Sequence, residues 1–387
     1  MANAKFPSDL VLALNHQAEE RAKKGIDVTN ATVGMFFKDD GSLPIPSCFT
    51  SQDFTKNTKY TYSPTVGVPG YLKNVLPWFF KEEVASLPSD RFTMATPGGT
   101  GALFLSFYEL NEQGYKILYP EISWPNYPNI VKATKAKADR YPNFDGNALN
   151  VKGIKGKMGK GKVALLINDP CQNPTGYSMS KQDWDKVVDL LNEDPSNRAL
   201  ILDLAYYDYA EEESKANIID AIRNIDARIP CFVCFSFSKS FSIYGLRVGA
   251  LTLFHGFEGA NIRLKDLARA AWSSGNVLGM NLIKHALDIE GNKEELRNEL
   301  ADNRKMLSRR GDLFLKEAKE VGLESYPYHE GFFCSLKVND AVKVAETLRE
   351  KDIFIAPIGP NIIRVAFSCV PYSKIGGLAK AIKDADN

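Results

Sequence analysis

The sequence predicts an α/β protein with a large unit on a mostly parallel, helix-covered sheet and a smaller α/β unit beside it. Three observations carry this. From about residue 92 to 254, short apolar runs (KILYP, VALLIN, ALILD, CFVCFSF, VGALTLF) alternate with helix-length amphipathic stretches, as in strand–helix–strand crossovers. From Asn292 to about Gly322 the chain is charged and amphipathic and reads as one long helix, a strut between units. Beyond it come strands near FFCSLKV, IFIAPI and IIRVAFS, a helix at DAVKVAETLREK and a final helix from about Ser373. Residues 47–291 are assigned to the large unit, and 1–46 with 292–387 to the small one.

The first elements are less regular. A helix entered through Pro7, Ser8 and Asp9 precedes an extended arm, residues 26–46, with a turn at Asp40-Gly41. Gly34 in that arm is either a simple turn glycine or a place where a ligand approaches the backbone. Pro64, Gly67, Pro69 and Gly70 keep the next segment irregular and leave Tyr62 free to reach outward.

Composition excludes several classes. With 387 residues, 44% of them hydrophobic, the chain can fill a core in each unit. Lys plus Arg (48) balance Asp plus Glu (47), so nothing in the charge calls for nucleic acid or an acidic membrane. No signal peptide or membrane span is legible, and six scattered cysteines suit a reducing compartment, the cytoplasm by default. Cys231 and Cys234 form a C-x-x-C, but three apart on a strand they face opposite sides and cannot share a metal. The four histidines form no ligand-spaced pair, so no metal is expected.

Two stretches carry chemistry. SFSKSFSIYGLR sets Lys239 between two apolar core strands, where a strand gives way to a loop. A lysine there either reaches back to water or is desolvated and able to attack carbonyls. RFTMATPGGTGALFLSFYEL is a strand, a glycine loop and a helix; Gly98, Gly99 and Thr100 at the helix start either cradle an anion or make a glycine turn of the kind that occurs without any ligand. A similar run, GIKGKMGKGKV at 153–163, is a decoy. Val163 replaces the Ser/Thr of a P-loop and a strand follows rather than precedes it, so it reads as an exposed basic loop. Trp124, Asn173, Asp203 and Lys239 all fall just after strands, where ligands bind on such sheets. Asp203, ending ALILD, is expected to be buried and to need a cation.

PGGTGAL, SWPNY, NPTG, DLAY, SFSKSF and the arginine eight residues past the lysine stand in the order and spacing of a known family. In them the chain resembles the fold-type I pyridoxal-phosphate enzymes, and within these the class I aminotransferases of the aspartate aminotransferase family. The resemblance implies pyridoxal 5'-phosphate as cofactor, with Lys239 as the Schiff-base lysine and Asp203 paired with the pyridine nitrogen. It assigns Tyr206 and Asn173 to the ring hydroxyl, and Trp124 to the ring face. Gly99, Thr100, Ser236 and Arg247 would bind phosphate, with Gly98 in the cradle. Tyr62 would reach across from a second subunit of a homodimer with shared active sites. Arg364 would clamp the substrate α-carboxylate, beside Gly34, Trp124 and Asn173, its alternative role being a domain-interface salt bridge. Arg269 is either a solvated helix arginine or the partner-donated arginine for a side-chain carboxylate. Trp272 and Gln172 replace residues common in the family and leave substrate preference open. The implied activity is a ping-pong exchange between an L-amino acid (aspartate, glutamate or aromatic) and a 2-oxo acid such as 2-oxoglutarate. A lyase or decarboxylase on the same fold is the alternative, and a non-catalytic sensor domain a third.

Overall fold

The computed structural model describes residues 10–50 and 61–387. Helix α1 (Leu10–Lys23) and strand β1 (Thr29–Ala31) open the chain, and helix α2 (Pro69–Phe80) follows. Strand β2 (Arg91–Pro97) runs into α3 (Gly98–Glu112), then β3 (Lys116–Pro120), α4 (Tyr127–Thr134), β4 (Ala138–Tyr141) and α5 (Val151–Met158). The alternation continues through β5 (Val163–Asn168), α6 (Lys181–Asn192), β6 (Arg198–Asp203), α7 (Glu212–Asn224), β7 (Cys231–Ser236) and β8 (Val248–Phe254). Helices α8 (Ala260–Ala271), α9 (Val277–Asp288) and the long α10 (Asn292–Glu320) come next. The chain closes with β9 (Phe333–Lys337), α11 (Ala341–Glu350), β10 (Ile353–Gly359), β11 (Ile362–Ala366) and α12 (Leu378–Asp386).

Seven strands form one sheet in the order β2-β8-β7-β6-β5-β3-β4. From β7 across to β4 they are parallel, while β8 runs against both of its neighbours. Every residue of β5, β6, β7 and β8 is buried, which is why these runs are continuously apolar rather than alternating. Successive side chains enter separate cores on the two faces: Cys231, Val233 and Phe235 on one, Phe232 and Cys234 on the other. The C-x-x-C therefore faces both ways, as its spacing predicts, and all six cysteines are free. Among the described residues no cluster of His, Cys, Asp or Glu could hold a metal, and no helix is long and apolar enough to cross a membrane.

The reversed β8 matters for the site. Because Val248 pairs with Pro97 and Gly249 with Ser236, the start of β8 lies at the edge where β2 and β7 end. Arg247 is thereby delivered to the carboxyl edge of the parallel strands.

A second sheet, in the order β1-β10-β11-β9, joins the amino-terminal arm to the carboxyl-terminal part of the chain. Arg310, fully buried on α10, fastens the same junction. One guanidinium nitrogen donates to Phe37 O (2.8 Å) and Asp39 Oδ1 (2.7 Å), the other to Phe367 O and Ser368 O. A planar five-donor group is suited to hold two segments at once.

Four expectations need correcting. The basic stretch predicted as a loop is largely α5, capped by Asn150 Oδ1 accepting from Gly153 N (2.7 Å). Ile154 and Met158, four apart, bury one side while the lysines stay exposed, so packing overrides the poor helix propensity of glycine. The last helix starts at Leu378 rather than near Ser373, because Gly377 takes a left-handed φ of 82° immediately before it. No glycine loop separates β2 from α3: the helix begins at Gly98 itself. Lys239 lies not in a loop but in a one-turn helix, Phe237–Ser240, capped by Ser236. The predicted entry to α1 at Pro7–Asp9 lies outside the described residues.

Phe235 of β7 is fully buried and stacks on Phe79 of α2 at 4.6 Å between centroids, directly beneath the turn that carries Lys239. Phe235→Ala is expected to cost about 3–5 kcal/mol of stability, read from the urea midpoint at unchanged slope.

Candidate active site

The ends of β5, β6 and β7 and the starts of α3 and β8 surround a cleft of about 170 Å³ lined by Gly99, Thr100, Asn173, Asp203, Ser236, Lys239 and Arg247, among others. It continues into an outer chamber of about 510 Å³ that adds Gly34, Tyr244, Phe333 and Arg364. Trp124, Asn173, Tyr206, Lys239 and Arg247 line both.

One end of the cleft is built for an anion. The first turn of α3 has no side-chain cap, so its backbone N–H groups remain available. Gly98 has φ 66°, and a Cβ there would lie 2.6 Å from Arg247 Nη2. Only glycine lets the guanidinium close over the helix start. Arg247, itself left-handed at φ 52°, donates to Tyr244 O (3.0 Å) and Ser238 Oγ (3.3 Å) and has no carboxylate partner among the described residues. Ser236 and Thr100 supply hydroxyls beside it.

Asp203 is the anion of the site. It is 4% exposed, and its carboxylate accepts from Tyr127 Oη (2.7 Å) and from Ala205 N (3.1 Å). No cation of the protein forms an ion pair with it among the described residues. Burial pushes its pKa up to about 6, against the opposing hydrogen bonds and the more distant charge of Lys239. A buried carboxylate held by neutral donors and facing a cleft is matched to a cation arriving with a ligand.

Lys239 faces it. Its Nζ donates to Gly34 O at 2.6 Å and lies 4.8 Å from the ring centre of Tyr244 and 5.6 Å from that of Tyr206. Burial, then the positive charges of Arg247 and Arg364, lower its pKa to about 7. A large share of the amine is therefore neutral, and nucleophilic, near neutral pH.

Arg364 on β11 closes the outer chamber. It is buried, stacks on Phe333 at 4.4 Å, and donates to Asn173 Oδ1 (3.1 Å) and Thr32 O (2.5 Å). Its Nε has no partner, and no carboxylate pairs with it among the described residues. A domain-joining salt bridge, the alternative role for such an arginine, is absent there. Gly34 is needed for close approach: a Cβ would meet the Phe333 ring at 2.7 Å. Tyr206 packs edge-on against Phe332 and Phe333, and Trp124 stands perpendicular to Tyr127 at 5.5 Å.

Two predicted residues stand apart from this gathering. Tyr62 is 92% exposed, and Arg269 lies exposed in the last turn of α8; neither lines the cleft of its own chain. Conversely, Tyr127, Tyr244 and Phe333 contact Asp203, Lys239 and Arg364 but escaped the sequence reading. Tyr127 and Tyr244 lie within two informative stretches, yet nothing local distinguishes an aromatic that touches a functional group from one that fills a core.

The cleft fits pyridoxal phosphate on its own observations: an uncapped glycine cradle beside an unpaired arginine, a buried carboxylate without a cation, and a depressed lysine within one cavity. The family model for class I and II aminotransferases matches residues 30–382. A tyrosine aminotransferase of Klebsiella pneumoniae is 29% identical, the match spanning 64% of this chain and 64% of that one. An aspartate aminotransferase of Pseudomonas aeruginosa is 27% identical over 75% of this chain and 74% of its own length. An aminotransferase structure from Anaerococcus prevotii superposes with a TM-score of 0.89 at 29% identity, covering 98% of this chain and 96% of that one. An aromatic-amino-acid aminotransferase from Burkholderia pseudomallei, covalently bound to pyridoxal phosphate, shares the fold at 23% identity, with a TM-score of 0.81 and 98% of each chain covered. With a family match running nearly end to end over a cleft of this chemistry, the chain belongs to the class I and II aminotransferases.

Proposed function

We propose that the protein moves an amino group between an L-amino acid and a 2-oxo acid, with pyridoxal phosphate held in the cleft. The observation that carries this is the convergence of a depressed lysine amine, a buried carboxylate without a cation and an arginine fork with a free Nε on one cavity. The cofactor, when bound, supplies an aldehyde that condenses with amines and a ring that accepts electrons from the substrate Cα.

The chain's own residues do the rest. Lys239, neutral in good part at pH 7, is the group that takes a proton from the substrate Cα and returns it. Asp203 keeps a positive charge on the ring nitrogen, its carboxylate fixed by Tyr127 and Ala205 N. Tyr206 and Asn173 are assigned to the ring hydroxyl and Trp124 to the ring face. Gly98, Gly99, Thr100, Ser236 and Arg247 hold the phosphate. Arg364, braced by Phe333 and Asn173, orients the substrate α-carboxylate beside Gly34. Tyr62 and Arg269, exposed and outside the cleft of their own chain, are assigned by the resemblance to the partner's site in a homodimer. In this reading residues 47–291 form the cofactor-binding unit, with 1–46 and 292–387 forming the small one, and the protein works in the cytoplasm. Aromatic amino acids, aspartate and glutamate are the first donors to test, since relatives named for tyrosine and aspartate match at similar identity.

Adding pyridoxal phosphate is expected to give a visible absorbance band that one of these amino acids removes and 2-oxoglutarate restores. Lys239→Ala is expected to fold and to lack that band. Persistence of the band with release of ammonia or carbon dioxide would move the reading to a lyase or decarboxylase. Arg364→Ala removes two charge-assisted bonds and is expected to raise KM for the amino acid roughly 10- to 100-fold while cofactor binding persists. In cofactor-free protein, acylation of Lys239 followed by peptide mass spectrometry is expected to rise with pH as the amine loses its proton, half-maximally at about pH 7. Solvent-exposed lysines should follow at about pH 10, and coincident profiles would remove the case for a tuned amine.

A further inference from the structure

We infer that Glu330 is a positioning residue for substrate binding, fixing the turn 171–178, and through it Asn173, from outside the cleft. The inference rests on the reading of Asn173 and Arg364 proposed above.

Glu330 stands before β9 and is 8% exposed. Its carboxylate ties its own segment to two others, the turn and the start of α7. Oε1 accepts from Ser178 Oγ (2.6 Å) and Ser214 Oγ (2.7 Å), and Oε2 from Glu211 N (2.6 Å). Ser178 Oγ in turn accepts from Cys171 N at 2.9 Å, so one end of the turn bonds the carboxylate directly and the other is tied to it through the Ser178 hydroxyl. The backbone repeats the link, with His329 N and Glu330 N both donating to Gly176 O (2.9 and 3.0 Å), and Ser335 Oγ donating to Pro174 O (2.9 Å). The far side of the turn carries the site: Asn173 N donates to Asn168 Oδ1 (2.9 Å), and Asn173 Oδ1 accepts from Arg364 Nη1 (3.1 Å).

The turn is thus held between Glu330 on one side and Arg364 on the other. No cation pairs with Glu330 among the described residues; neutral donors alone hold its charge, and charge-assisted bonds of this kind are directional. Such an arrangement fixes geometry. Removing the charge loosens the turn without touching the cleft, and Arg364 loses the fixed partner that aims its fork.

Glu330→Gln, nearly isosteric, decides the matter, with Glu330→Ala as the stronger variant if it folds. In cofactor-free protein, hydrogen exchange of the amides at 171–178 is expected to quicken by about tenfold, with β5 and β6 unchanged, since local opening rather than global unfolding is affected. In the loaded enzyme, KM for the amino acid is expected to rise about tenfold at near-constant kcat. Combining Glu330→Gln with Asn173→Ala should then add much less than the product of the two effects, the signature of residues acting through one element. Unchanged exchange in the turn, exchange raised across the whole sheet, or multiplicative effects on KM would each overturn the inference. If wild-type protein shows no amino-acid-dependent change in the cofactor band, the functional reading fails by itself, and the exchange result still reports whether Glu330 holds the turn.

Discussion

The site depends on charges that face one cleft without being paired to one another, Asp203 and Arg364 buried, Lys239 half-buried and Arg247 at the exposed rim. Asp203, Lys239, Arg247 and Arg364 converge on one cavity, yet none forms an ion pair with a protein group among the described residues. Each is held by neutral partners: Asp203 by a phenol and a backbone N–H, Lys239 by the Gly34 carbonyl and aromatic rings, Arg247 by a carbonyl and a hydroxyl, and Arg364 by Asn173, Thr32 O and the Phe333 face. Burying charges this way costs stability. It keeps every charge oriented and available, as electrostatic preorganisation requires.

Topology makes this affordable in geometric terms. Parallel strands end side by side, so short loops after β5, β6 and β7 share one edge, and the single reversed strand β8 brings Arg247 to that edge from the other direction. The cores on both faces make the sheet a stiff platform, and loops on such platforms hold functional groups accurately. Arg364 comes from the second sheet, which also takes in β1. The arm carrying Gly34 and the strand carrying Arg364 are therefore joined through one sheet and by Arg310 across their junction.

Local chemistry refines the picture at a few points. Gly98 is required because Arg247 occupies the space of a side chain, and Gly34 because Phe333 does. These glycines would be indistinguishable from turn glycines without their neighbours. The same holds for Tyr127 and Tyr244, whose roles arise from contacts with residues 76 and five positions away, respectively.

By itself the sequence determined the alternation of strand and helix, the buried character of the central strands, the position of each functional group just past a strand or at a helix start, and the family resemblance. These are properties of short-range pattern, in which periodicity and glycine placement report directly on backbone geometry. It misjudged α5, where two buried side chains four residues apart outweighed a glycine-rich composition. Tertiary structure alone decided that Lys239 would be desolvated by burial and repelled by the charge of Arg364 from the second sheet as well as by that of nearby Arg247, that Asp203 would be held only by neutral donors, and that Glu330 would bond the turn bearing Asn173. The physical reason is common to all three: burial and electrostatics sum over neighbours in space, and sequence spacing does not encode which distant groups those neighbours will be.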